Sequence, residues 1–479
     1  MPTTGLANAV VTGVVTGSVV ALGAIGLALV YSIAEVPNFA HGELLMLGAY
    51  AALFVNRPAT VPVFEALATG QQSLGTAGFA VLFVLGAGAT LASISHLGGR
   101  AALEGSWWPR RPAPAVGLAV HLLAAVVVGG LVVWGFPSIW AGLLLAIALL
   151  AALAPVQERR VFRKFRARGA SLATMLIVAL GLSFVLRFGT QAVYGGQVRD
   201  YTVPRVAHVL GVELGLAAAK FVDVYLSGAG LVVQVIDTGP PGNPVMFTVG
   251  YPPLVLAVVL GGTALVAAGA YWWRRGDGAD FRRSRTVGPK LLAAVVGTVA
   301  FVALAAFLSG PGTVPEAPAY ETRISLSLMR ASVIVVALVM MASLHLLLKE
   351  TKLGTAMRAS SDNLDLAQVS GINTHLVMMV SWVIAGAFAA VGGVMLGVLF
   401  NQLTVNMGFF LLLPMFAGVI LGGLGSVYGA ILGSYLVGLA MDVGIFAIPG
   451  IGATYRVPIA FVVLFVVLLV RPQGITGGA

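Results

Sequence analysis

The chain has 479 residues, of which 59% are hydrophobic and 9% charged, with a mean hydropathy of +1.00 and a formal net charge of +10. Soluble domains carry about 25% charged residues, so this composition excludes a water-soluble globular protein and makes lipid the solvent for much of the chain. The apolar segments are too long and continuous for the alternating strands of an outer-membrane barrel, and the lack of Cys excludes disulfides and thiolate metal sites.

The expected fold is therefore all-α: a polytopic bundle of transmembrane helices, because a helix satisfies its own backbone hydrogen bonds in hydrocarbon. The first apolar span covers about 6–30, and Met1–Asn8 ahead of it has no basic segment of the kind a cleaved signal carries. A short apolar stretch at 43–55 follows, which at 1.5 Å per residue barely crosses a hydrocarbon core of about 30 Å. Between the two lies Pro37-Asn38-Phe39-Ala40-His41-Gly42-Glu43. A His and a Glu beside hydrocarbon need partners or water. The segment reads either as a solvated turn or as a broken or re-entrant helix near 36–55, of the kind transporters aim at their solute.

Further spans are expected at 79–97, 116–135, 138–157, 170–189, 253–273, 290–309, 326–348, 377–399, 409–424, 427–447 and 456–470, about twelve in all. Charge assigns their sides. Segment 157–168 holds Arg159, Arg160, Arg163, Lys164, Arg166 and Arg168 against Glu158 alone, and 274–290 holds six basic residues against Asp277 and Asp280. Arg100, Arg110 and Arg111 mark a third basic loop, whereas 191–250 and 310–325 each carry one more acid than base. Placing the basic loops in the cytoplasm makes the signs alternate through the whole chain and puts the end at Arg471 inside. The net charge thus reads as membrane orientation rather than nucleic-acid binding. Segment 191–250, with Pro204, Pro240, Pro241 and Pro244, reads as a small outer subdomain or an interfacial segment.

Two later stretches are unusual. Segment 349–375 is polar yet has no net charge, so orientation does not explain its length. Asp362 or Asn363 is placed to cap a short helix ending at Gly371, which reads as a cytoplasmic docking element or a plain connection. The run Gly418, Gly422, Gly423, Gly425, Gly429, Gly433 suits either close helix packing or a break between two half-helices. No Gly-Lys-Ser or Gly-Lys-Thr occurs, so no phosphate-binding loop and no ATPase is expected here, nor is there a cluster with metal-ligand spacing. Asp442 is the main acid inside a span, and this scarcity weighs against an ion-coupled carrier.

Leu29-Val30-Tyr31-Ser32, Asn38 to Glu43 and Met46-Leu47-Gly48-Ala49-Tyr50 resemble the N-terminal signature of the LivH/LivM-type permeases of branched-chain amino acid ABC importers. Glu158-Arg159-Arg160 through Arg168 is similar to that family's early cytoplasmic loop, and Leu353 to Ala359 through Gly371-Ile372-Asn373-Thr374 to its coupling loop. Asp365-Leu366-Ala367-Gln368-Val369-Ser370-Gly371 resembles the Glu-Ala-Ala-x-x-x-Gly element, with the acid, one alanine and the glycine in place. Gly422 to Ala430 and Arg471-Pro472-Gln473-Gly474-Ile475 match the C-terminal pattern. The likeness leaves 60–135 and 206–325 uncovered, as insertions in one permease domain spanning 1–479.

The resemblance implies a multi-pass subunit of the cytoplasmic membrane, without a cofactor of its own. Its implied partners are a second permease subunit, two ATP-binding subunits that use the ATP, and an extracellular solute-binding protein. It implies a coupling loop at 349–375 with Arg358, Asp365, Ala367, Gly371 and Asn373, and a pathway near Asn38, His41, Gly42, Glu43, Gly422, Gly423 and Gly425. The solute is a branched-chain amino acid or, within the same family, urea or a short-chain amide. An ion-coupled secondary transporter is the alternative of another class.

Overall fold

A computed structural model describes residues 2–36, 38–57, 60, 139–202, 206–209, 212–215, 219–237, 245–276, 289–316, 318–423, 425–448, 450–471 and 473–475. The expected spans 79–97 and 116–135, the basic loop at 98–115, Pro37 and most of 274–290 lie outside them. Among the described residues, eight helices are long and apolar enough to cross a membrane.

Two compact units divide the chain. The larger gathers Thr12–Pro204, Ser332–Met341 and Ala356–Ala479. Its helices are most of α1 (Pro2–Ala34), then α2 (His41–Asn56), α3 (Ile139–Gln157), α4 (Arg163–Arg166) and α5 (Leu172–Tyr194). A π-helical turn at Glu158–Phe162 joins α3 to α4, so the basic segment expected as a loop is largely helical. Buried Glu158 holds Arg166 there through two bonds of 3.0 and 3.2 Å.

The core of this unit forms around α2, and glycine is the reason the helices can approach so closely. A Cβ at Gly48 would lie 2.6 Å from the Cα of Ala390, one at Gly142 2.7 Å from the Ala52 carbonyl oxygen, and one at Gly42 2.5 Å from the Gly408 carbonyl oxygen. Thus α2 is wrapped by α1, α3, α11 (Thr374–Phe400) and α12 (Met407–Gly422). An 18-residue apolar window of α1 is 94% buried, whereas that of Ala453–Val470 is 11% buried, so the latter, which contains α14 (Arg456–Val470), lies on the outside of the chain.

The smaller unit gathers Met1–Val11, Arg205–Ala331 and Ala342–Thr355. It contains a five-stranded antiparallel sheet in the order β6-β5-β4-β3-β7, which hydropathy does not announce. The strands are β3 (Ala219–Ser227), β4 (Gly230–Asp237), β5 (Val245–Tyr251), β6 (Gly310–Pro311) and β7 (Tyr320–Ser327). A separate pair, β1 (Val206–Val209) and β2 (Val212–Gly215), precedes them. β3 and β4 form a hairpin whose turn needs Gly230 at φ +122°. Fully buried Asp223 on β3 accepts two 2.6 Å bonds from Arg323 on β7, and that bonding pushes the guanidinium above its usual pKa.

Helices α6 (Pro253–Gly276) and α7 (Pro289–Leu308) pack side by side and grow out of this sheet. β5 runs into α6, α7 returns into β6, and β5 pairs with β6 through Val249–Pro311 and Gly250–Gly310. The start of α6 and the end of α7 therefore meet where β5 pairs with β6. The remaining helices are α8 (Leu328–Glu350), α9 (Lys352–Asp362), α10 (Leu364–Val369) and α13 (Val427–Ala447).

Candidate functional site

The turn between α1 and α2 folds a polar sequence into an apolar bundle. Glu35 takes a left-handed φ of +53°, the Ala40 N–H donates to Asn38 Oδ1 at 3.1 Å, and His41 opens α2. Asn38 and His41 are fully buried, and Glu43 is 1% exposed. His41 Nε2 lies 3.0 Å from the Gly23 carbonyl oxygen. A carbonyl only accepts, so Nε2 carries the proton. The ring fits because α1 has a glycine beside it: a Cβ at Gly26 would lie 2.7 Å from His41 Cε1. Since Gly23 and Gly26 belong to the interior of α1, the second helix starts inside the bundle, as the broken-helix reading anticipates. α1 ends at Ala34 and α2 begins at His41, while Gly42 serves close packing within α2.

Glu43 is the charged centre of this site. Its Oε1 accepts from Ser183 Oγ at 3.0 Å, from Arg187 Nε at 3.0 Å and from Arg187 Nη2. The Arg187 guanidinium sits 4.5 Å from the ring centre of Phe409 and 5.7 Å from that of Phe184. Buried charges persist when paired and hydrogen-bonded, and the aromatic faces add cation–π attraction. Among the described residues, Glu43 Oε2, Asn38 Nδ2 and His41 Nδ1 have no hydrogen-bond partner. The cluster is thus neutral overall but keeps unfilled polar capacity. Ser183 and Arg187 escape a reading of motifs. An arginine near the end of the otherwise apolar span 170–189 is the signal that points to them.

The segment after α8 forms two short helices. Asn363 caps α10 by accepting from the Leu366 N–H at 2.8 Å, as expected for one of the two candidate caps. Gly371 ends that element at φ +84°, with the Ile372 N–H on the Ala367 carbonyl at 3.0 Å, and Asn373 caps α11 through the Leu376 N–H. Ala367 is buried at 3%, whereas Leu366 is 64% and Val369 86% exposed. Arg358 and Asp365 are exposed beside them.

The glycine-rich run packs two helices together and ends the first of them. Gly418 packs on Ser434 and Gly422 on Gly429, joining α12 to α13. Gly423 and Gly425, at φ +107° and +91°, end α12, and Ser426 caps α13. The C-terminal segment closes this end, with the Ile475 N–H bonded to the Leu421 carbonyl at 2.9 Å. Gly408 and Gly422 stand at opposite ends of α12, whose 16 residues make it about 24 Å long. The structure therefore gathers Asn38, His41, Gly42 and Glu43 into one site and places Gly422, Gly423 and Gly425 apart from it.

Residues 170–470 match the family described as the branched-chain amino acid transport system / permease component. The chain belongs to this family. This permease is 30% identical over 179 residues to the high-affinity branched-chain amino acid transport system permease protein LivH of Escherichia coli K12, an alignment covering 37% of this chain and 56% of LivH. It is 30% identical over 155 residues to the corresponding protein BraD of Pseudomonas aeruginosa, covering 32% and 48%. The permease spans about half the length of the curated relatives it matches. No solved structure matches it. Membership agrees with the many apolar helices: the permease is an integral membrane protein.

Proposed function

We propose that this permease is a membrane subunit of an ATP-driven importer for branched-chain amino acids, resident in the cytoplasmic membrane with its C-terminus inside. The observation that carries the reading is α10. A rigid, doubly capped helix turn presents Leu366 and Val369 at its surface, in the stretch that resembles the coupling element of import permeases. Large apolar side chains exposed on a polar connection suit a protein partner. ATP-binding subunits that dock there supply the energy, with Arg358, Asp365, Ala367, Gly371 and Asn373 in or beside the contact. A second permease subunit completes the pathway, and an extracellular solute-binding protein delivers the solute. The buried α1–α2 turn, with Asn38, His41, Gly42 and Glu43, lies at or near the pathway, and Gly422, Gly423 and Gly425 form a bend that moves with it.

Ion coupling is less well supported. Among the described residues, the buried acids Glu43, Glu158, Asp223 and Asp442 are each paired with an arginine, so none is an isolated carboxylate of the kind an ion-coupled carrier uses. The test is reconstitution with the ATP-binding subunits and the solute-binding protein in proteoliposomes. Labelled L-leucine is expected to accumulate only with ATP. Accumulation without the ATP-binding subunits, driven by an imposed ion gradient, overturns the proposal.

A further inference from the structure

We infer that a cavity of about 310 Å³ in the larger unit is a pocket for a small amino acid with an apolar side chain, anchored by its carboxylate on Arg456. This rests on the importer reading and deepens it. The walls are built for an aliphatic body: apolar side chains, among them Leu396, Met407, Leu411, Pro414 and Met441, supply most of the lining. The polar side chains in the lining are few: Thr16, Gln402, Thr404, Thr454 and the one charged group, Arg456. Ligand pockets of small molecules have this composition, with volumes of about 300–1,000 Å³, so the space suits a single small solute rather than a peptide.

Arg456 is held rather than neutralised out of use. Its Nη2 lies 3.1 Å from Asp442 Oδ1, and the Asp442 side chain is 3% exposed while that of Arg456 is 33% exposed. Among the described residues, Arg456 Nε and Asp442 Oδ2 have no hydrogen-bond partner. A guanidinium has five N–H donors in a planar fork that matches a carboxylate. Asp442 lies beside the fork as its ion-pair partner, which makes it a positioning residue. The pair is neutral before the ligand arrives, so a zwitterion adds no net charge to an apolar chamber. A ligand without a carboxylate leaves the remaining donors unmet, which is the arrangement that rejects such analogues most strongly.

The place also fits import. Gln402 and Thr404 flank Leu403, whose backbone pairs with Arg199 through bonds of 2.9 and 2.6 Å. That end of the unit carries 191–202, the side the charge pattern assigns to the exterior, where a solute would enter. The cavity is lined by neither His41 nor Glu43, so it is separate from the buried turn.

Equilibrium binding of labelled L-leucine to the purified full chain tests this, with L-leucinamide and 3-methylbutylamine as competitors. The wild type is expected to bind leucine and to discriminate against both competitors by tenfold or more. Arg456→Gln is expected to lose tenfold or more in leucine affinity and with it the discrimination, while Arg456→Lys retains part of both. Thr454→Trp, a change at an exposed position on the cavity wall, is expected to block binding without disturbing the fold. No leucine binding by the wild type, equal binding of the amide, or wild-type affinity in both Arg456→Gln and Thr454→Trp overturns the pocket. ATP-driven leucine uptake that persists with these results leaves the importer reading standing, whereas uptake that does not require ATP removes that reading separately.

Discussion

The carboxylate of Glu43 on α2 and the guanidinium of Arg187 on α5 meet inside the helix bundle, 1% and 10% exposed, and with Ser183 they tie two helices of very different burial together. Breaking such a pair from one side leaves an uncompensated charge, at about 3–5 kcal/mol, whereas removing both partners is far milder. Glu43→Gln and Arg187→Met are each expected to lower thermal stability in detergent strongly, and the double variant Glu43→Met with Arg187→Met to regain much of the loss. Additive losses in the double variant would show that the two charges do not depend on each other.

Glycine contacts set how closely α2 can lie against its neighbours. A Cβ at Gly408 would stand 2.0 Å from the Gly42 carbonyl oxygen, so no rotamer relieves the clash and the backbones must part. Gly408→Ala is expected to cost about 1–3 kcal/mol, the usual range for overpacking. Gly181→Ala, on α5 with nothing within 4 Å of the added methyl, is expected to leave the melting temperature unchanged. Equal behaviour of the two variants in a thermal unfolding assay would contradict the crossing.

The sequence carried the helices well and the sheet poorly, for a physical reason. A membrane helix is fixed by its own composition, so long apolar runs such as 172–194 stand out in isolation. The sheet instead depends on pairing β3 with β7, nearly a hundred residues apart, and strand pairing over that distance leaves only a weak local pattern. The same contrast holds in the site. Asn363, Gly371 and Gly423 were legible because capping and left-handed backbone are local requirements. Arg187 and Arg456 were not, since their importance comes from acids brought to them by other helices.

Antiparallel pairing of β5 with β6 brings the start of α6 and the end of α7 to one side, and the charge pattern predicts that side to be the exterior. A reporter inserted at Gly228, in the β3–β4 turn, is expected to read extracytoplasmic. One inserted at Asp280 is expected to read cytoplasmic. The reverse result, or the same side for both, would overturn the assigned orientation.

Docking at α10 predicts a separation between folding and coupling. Val369 is 86% exposed and Leu366 64% exposed, so neither contributes much to the packing of the chain itself. Val369→Asp and Leu366→Asp should leave insertion and detergent stability near wild type, because a surface change away from special features costs within about 0.5 kcal/mol. Each should nevertheless weaken co-purification with the ATP-binding subunits and lower ATP-driven uptake at least tenfold. Gly371→Trp serves as the contrasting case: a side chain at φ +84° strains the turn, of order 1–3 kcal/mol, and loses coupling by misplacing the helix rather than by altering its surface. Undiminished uptake in Val369→Asp and Leu366→Asp together would mean that the exposed leucine and valine meet no partner, and the energy would then have to enter the bundle elsewhere.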